Sequence, residues 1–168
     1  ILTPMKKIPI ILLLFLITAK YLASQTNITL SNPEALQVIL GQYDPANYTP
    51  QHVLNSPDSI LHGIVNKVSK DSLISYLSKI DSYHNRNSGS DTVSSARGIG
   101  AVRRWIYSKF NEYRTVSENR LILSYLDFDR YFCGQPHHRD VLAILPGLDT
   151  TQKEIMVLEA HFDTRCES

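Results

Sequence analysis

The hydrophobic period changes once along this chain, and that change limits the folds open to it. Within "ARGIGAVRRWIYSKFNEY" the apolar side chains Ile99, Val102, Ile106 and Phe110 recur at helical spacing, assisted by Trp105, with Arg103, Arg104 and Lys109 expected on the wet face. Beyond this helix, "NRLILSYLDFDRYF" and "RDVLAILPG" read as two strands joined through "CGQPHH" as a turn, an antiparallel hairpin. "IMVLEA" then supplies a third strand, apolar throughout, that ends at His161. Two helices on one side of such a sheet make an α/β layering.

The segments before the long helix carry their own start signals. Asn32-Pro33 places a capping side chain ahead of a proline at the first helical position, so a short helix is predicted from there to Gly41. "YDPANYTP" is turn-rich, and the chain to about Ser56 is expected to run extended over a surface. Ser69 caps a further helix, "SKDSLISYLSKIDSYH", whose Leu73, Leu77, Ile80 and His84 share a face, with Leu73 to Ile80 expected to be buried. Asn85 to Ser90 form a polar loop and Asp91 is expected to cap the long helix. Gly98 and Gly100 each cost about 1 kcal/mol of helix propensity relative to alanine, which points to a close neighbour that excludes a side chain.

Composition removes some classes of function. With 168 residues, 43% hydrophobic and 20% charged, the chain suits about one domain. Its net charge of +1 comes without a basic stripe, so no nucleic-acid partner is expected. Met5-Lys6-Lys7, the apolar run "IPIILLLFLITA" and small residues at Ala23 and Ser24 have the order of a signal peptide over residues 1–24, cut near Ser24 and Gln25. The run is shorter than the ~20 residues needed to cross a bilayer, so no stable membrane span is expected after cleavage. Ile1 to Pro4 precede the first methionine. Export permits disulfides: Cys133 and Cys166 are candidates to pair with each other, or either with a cysteine beyond Ser168, and two cysteines do not decide it. The sequons at Asn27 and Asn47 matter only in a host that glycosylates.

His161 and Asp163 are the residues with the most chemical content. Two apart in an extended segment, they point to one face. A neutral imidazole can give one nitrogen to zinc while the carboxylate accepts a hydrogen bond from the other and fixes the tautomer. The end of a strand in an α/β sheet is where such folds collect ligand groups. His-x-Asp alone is a weak motif. The adjacent His137 and His138 read as solvated turn residues, and His52, His62 and His84 as isolated ones. Asp127 and Asp129 alternate onto one strand face as half-exposed polarity, and "RNSGSDT" lacks the spacing and lysine of a phosphate loop.

The order "RNSGSDT", "RGIGAVRRWIYSKF", strand, turn, "RDVLAILPG", "EIMVLEAHFDTRCE" resembles the N-terminal half of the catalytic domain of two-zinc aminopeptidases, metallopeptidase family 28, over roughly Leu73 to Ser168. Secreted members from Gram-negative bacteria are similar even through "ALQVILGQYDPANYTP". The resemblance implies a mixed-sheet zinc-exopeptidase (phosphorylase/hydrolase-like) fold, incomplete here. It implies an N-terminal extension over residues 25–70 and the first half of the peptidase domain over 71–168. It assigns His161 as a zinc ligand and Asp163 as the catalytic-site carboxylate that orients it, with two zinc ions and peptide or protein substrates in the complete enzyme. The implied location is secreted, periplasmic or at the cell surface of a Gram-negative bacterium. The family's bridging carboxylate, catalytic glutamate, further carboxylate ligand and second histidine follow this motif and have no position before Ser168. The chain is therefore expected to be a truncated, inactive fragment that binds metal weakly, with an exposed apolar strand edge and poor solubility. Glutaminyl cyclases, and non-catalytic exported binding modules of the same fold, are the alternative readings.

Overall fold

The computed structural model describes residues 25–53, 56–149, 151 and 154–165. The expected signal peptide and Cys166, and with it the pairing considered for Cys133, lie outside them. The described chain is a mixed α and β structure. Its strands are β1 (Thr26–Leu30), β2 (Ile122–Phe132) and β3 (Gln135–Ile144), an antiparallel sheet with β2 in the middle. The α-helices among these residues are α1 (Pro33–Ile39), α2 (Pro57–Lys67), α3 (Lys70–Asp81) and α4 (Gly98–Val116).

The expected hairpin forms, with a tighter turn. β2 and β3 run in register from Ile122 opposite Ile144 to Asp129 opposite His137, and Phe132 pairs with Gln135. Cys133 and Gly134 alone reverse the chain, at φ of 49° and 75°. Two successive left-handed residues match the twist of the flanking strands. Gln135 to His138 therefore belong to β3 and not to a turn. His138 in consequence is buried and stacks on Phe132, with ring centroids 3.6 Å apart, so it is no solvated turn residue.

β1 has side chains that are almost all exposed, and its polar–apolar alternation covers only Asn27 to Leu30, too short a run to mark a strand. Polar bonds attach it to β2. Asn27 Nδ2 donates to Asp129 Oδ2 at 2.7 Å, and Tyr125 N donates to Ser31 Oγ at 2.8 Å. Asn32 caps α1 through Glu34 N at 3.0 Å, as its sequence predicts, and its Nδ2 also donates to Leu123 O at 3.0 Å. Ala35 and Val38 of α1 then pack on Ile122, with Ile144 beside them. Tyr125, an odd number of positions from Ile122, turns to the opposite face and stacks on Tyr107 of α4 at 4.6 Å.

Two further expectations fail for a common reason, the lack of a covering neighbour among the described residues. Ser69 does cap α3, accepting from Ser72 N at 3.2 Å, yet Leu73 and Leu77 are 53% and 67% exposed. α3 meets α4 at Tyr76, whose ring lies edge-on to Trp105 at 5.8 Å, and near its end, where Ile80 and the following Tyr83 meet Ile99, Val102 and Trp105. Ile155 to Ala160, the expected third strand, hold no ladder, and Ile155 to Leu158 are 70–91% exposed. A strand exists through its hydrogen-bonded partner, and here a groove of about 690 Å³ lies between this segment and β3, walled by Ile106, Phe128, Leu142 and Leu158. α2 follows Ser56-Pro57, which repeats the cap-and-proline signature of Asn32-Pro33.

α4 begins at Gly98, not at Asp91. Its first N–H groups are satisfied by the preceding loop: Gly98 N by Tyr83 O at 3.0 Å, Ile99 N by Ser90 Oγ at 2.9 Å, and Gly100 N by Asp91 O at 3.1 Å. The Asp91 side chain instead accepts from Val93 N and Ser94 N, both at 2.8 Å. A Cβ on Gly98 or Gly100 would sit well inside contact distance of the Asp91 or Thr92 carbonyl oxygen, and Gly98 holds φ at 81°. Arg104 donates to the carbonyls of Thr92, Val93 and Ser94, closing the loop over the helix start. Arg103 is half-buried and not on the wet face, because it points into the groove beside Asp140.

Gly100→Ala is expected to destabilise the protein by about 1–3 kcal/mol in urea denaturation, since overpacking against backbone outweighs the ~1 kcal/mol propensity gain. A stabilised variant would show that the loop gives way. The attachment of β1 is expected to depend on acid. Hydrogen bonds from Asn27 and then His137 hold the Asp129 carboxyl below its ordinary value of 3.8. A depressed folded value means that its contribution is complete above about 3.8 and is lost as pH falls through the lower folded value. Amide protection in β1 should fall on acidification below that point, and Asp129→Asn should make it independent of pH there.

Candidate metal centre

The turn that carries His161 and Asp163 is held by the polar loop between α3 and α4. Thr164 N donates to Arg86 O at 3.3 Å, and Arg86 N donates back to Thr164 Oγ1 at 3.2 Å. Arg86 Nε donates to Phe162 O at 3.3 Å while its Nη1 donates to His84 O at 3.0 Å. Phe162, between the two candidate groups, packs against the cluster of Tyr83, Ile99, Ala101 and Val102. Alternation along the extended segment sends Phe162 inward and leaves His161 and Asp163 on the other side.

There the imidazole and carboxylate meet. His161 Nδ1 lies 3.1 Å from Asp163 Oδ1, and Ser88 Oγ donates to Asp163 Oδ2 at 3.4 Å. The tautomer with hydrogen on Nδ1 donates to the carboxylate and keeps the Nε2 lone pair as a donor to a metal. His161 itself is exposed, its side chain at 82%. The pair fits one metal ligand with its orienting carboxylate. Among the described residues no three His, Cys, Asp or Glu side chains gather where an ion could be held, so these residues make one part of a centre that takes about three protein ligands.

The groove beside the pair is apolar with a charged wall. Ile99, Ile106, Phe110 and Phe132 line it together with Arg103, Asp140, His161 and Asp163. Burial pushes the Arg103 guanidinium down from its ordinary value, and its buried Nε has no hydrogen-bond partner among the described residues. Asp140, which opens onto the groove yet is crowded by protein atoms, is raised by the same loss of solvent, with Arg103 opposing part of the rise.

Other acidic and imidazole groups are engaged elsewhere. Asp127 accepts from Arg139 Nε at 2.5 Å and Nη2 at 2.9 Å, and His137 Nδ1 lies 2.6 Å from Asp129. His138 contacts Gln135 O at 3.1 Å. Sequence reasoning missed Arg86 and Ser88. The loop "NRNSGSD" was visible as polar and glycine-bearing, but its partner lies some 75 residues away and no local pattern encodes that pairing.

Comparison with known proteins gives a consistent direction. A "Probable zinc metalloprotease" of Phaeosphaeria nodorum is 36% identical over 115 residues, 65% of this chain and 23% of that protein. A protein of the same name from Pyrenophora teres f. teres is 35% identical over 75 residues, 45% of this chain and 16% of its own length. Another, from Leptosphaeria maculans, is 26% identical over 114 residues, 66% of this chain and 26% of its own. The chain thus spans about a quarter or less of the curated relatives it matches. No family model matches the chain, and no solved structure matches it significantly.

Nitrogen-15 spectra of the neutral His161 ring are expected to show the proton on Nδ1. Asp163→Ala should move it to Nε2, the site that a free imidazole side chain prefers. An unchanged tautomer in Asp163→Ala would remove the carboxylate from any orienting role.

Proposed function

We propose that this chain carries part of an exported zinc-dependent metallopeptidase, an aminopeptidase that hydrolyses N-terminal peptide bonds, with His161 as a zinc ligand and Asp163 as its orienting carboxylate. The observation that carries the reading is the 3.1 Å contact between His161 Nδ1 and Asp163 Oδ1 on a turn gripped by a second segment. The similarity to proteins named as zinc metalloproteases supports the class. The basic start and short apolar run at Met5 to Ala19 support export, which puts peptides or proteins outside the cytoplasm in reach as substrates. Two zinc ions are part of the proposal.

Zinc in such a centre supplies a Lewis acid for the scissile carbonyl and lowers the pKa of a bound water. The residues present have a preparatory share. Asp163 holds the proton of Nδ1, Ser88 holds the other carboxylate oxygen, and Phe162 anchors the turn in the core. Among the described residues no third candidate ligand gathers with this pair, so further ligands and a general base are part of the proposal.

The full-length protein is expected to release nitroaniline from aminoacyl-nitroanilides and not from their N-acetylated forms, and to stop when zinc is chelated. His161→Ala should abolish the activity, while Asp163→Ala should lower it about 10- to 100-fold, as loss of a ligand's hydrogen-bond partner does. Cleavage of blocked and free substrates alike would refute the aminopeptidase assignment, and full activity in His161→Ala would refute the ligand. Residues 25–168 alone are expected to be inactive on the same substrates, and turnover by them would overturn the ligand set proposed here.

A further inference from the structure

Arg86 binds the His161–Asp163 turn with three separate groups. Its amide donates to Thr164 Oγ1, its carbonyl accepts from Thr164 N, and its Nε donates to Phe162 O. Nη1 meanwhile donates to the carbonyl of His84, a residue at φ 59° where the chain leaves α3. One planar guanidinium therefore ties the end of a helix to the backbone atom between the two candidate site residues. A lysine ammonium cannot reproduce that span, because it offers a single point of charge.

The loop around Arg86 is itself braced. Asn87 N donates to Asn85 Oδ1 at 3.1 Å, and Gly89 N donates to Asn87 Oδ1 at 2.9 Å. A Cβ on Gly89 would collide with the carbonyl oxygen of Cys133 at the hairpin tip, so the loop is also seated on the sheet. Ser88, two residues on from Arg86, reaches Asp163 Oδ2. By contrast, Ile155 to Leu158, which lead into His161, are 70–91% exposed and contribute little hold.

We propose that Arg86 is a positioning residue for the metal centre: it fixes the backbone at Phe162 so that His161 and Asp163 stay on one side and in hydrogen-bond reach, with Ser88 anchoring the carboxylate. This rests on His161 being a zinc ligand. Arg86 touches neither zinc nor substrate and acts through the turn.

The test uses the full-length protein and zinc chloride as the probe, followed on the His161 ring resonances, which read that site whether or not the protein is active. Arg86→Ala is expected to weaken zinc binding at His161 about tenfold, the scale of an outer-shell change. Arg86→Lys should behave alike, because it keeps the charge and loses the fork. Thr164→Val, which removes the acceptor of the Arg86 amide, should act in the same direction should Arg86→Ala not fold. Val38→Ala, in the separate core under α1, controls for stability and should leave the zinc affinity within about twofold. An Arg86→Ala affinity equal to wild type, with the His161 ring resonances still shifting on zinc, overturns the positioning role and leaves the site reading standing. Wild-type ring resonances that ignore zinc overturn the site reading instead. The positioning then stands on amide exchange at Thr164, expected to speed up about tenfold in Arg86→Ala, and an unchanged rate overturns it.

Discussion

The close approach of two backbones governs this structure: the first turn of α4 rests directly on the carbonyls of Asp91 and Thr92. Gly98 and Gly100 make it possible by having no Cβ to intrude. The approach lets loop atoms satisfy the N–H groups that any helix start leaves open, so Tyr83 O, Ser90 Oγ and Asp91 O replace the missing N-cap side chain of Arg97. Three carbonyls further along the loop then converge on Arg104. The propensity lost at two glycines is offset by a loop that has one shape.

That fixed loop is what reaches the rest of the molecule. Through Tyr83 it belongs to the core of α4, through Gly89 it meets the hairpin tip, and through Arg86 and Ser88 it grips the turn of His161 and Asp163. The hairpin adds a second support, since Tyr125 stacks on Tyr107 and holds β2 against α4. Groups in the groove bear the opposite character. Arg103 and Asp140 keep charge beside an apolar wall, where each loses solvent and each is shifted toward its neutral form.

How much of this was legible depends on whether the determinant was local. Asn32 and Ser69 act as caps as read, because a cap is decided within three residues. The hairpin was legible from its alternation, and Ile99 and Val102 from their helical spacing. Asp91 was misread because its carboxylate prefers the nearer amides of Val93 and Ser94, which a capping pattern does not distinguish from a helix start. Burial of Leu73 and Leu77 was misread because amphipathicity records which face seeks cover and not whether cover is present. β1 was silent because polar side chains hold it, and the apolar run Ile155 to Ala160 was read as a strand although among the described residues it has no ladder partner.

The candidate site follows the same division. Two residues of one extended segment face one way by geometry alone, so the pairing of His161 with Asp163 was legible. What keeps them paired was not. A histidine at the end of an apolar segment without ladder bonds would ordinarily lose its orientation with that segment. Here the hold comes from the following residues, Phe162 in the core and Thr164 bridged to Arg86, so the order of the turn does not wait for Ile155 to Leu158 to find a partner strand. The His161–Asp163 pair is thus held by the loop and helix before it, and the hairpin tip seats that loop at Gly89.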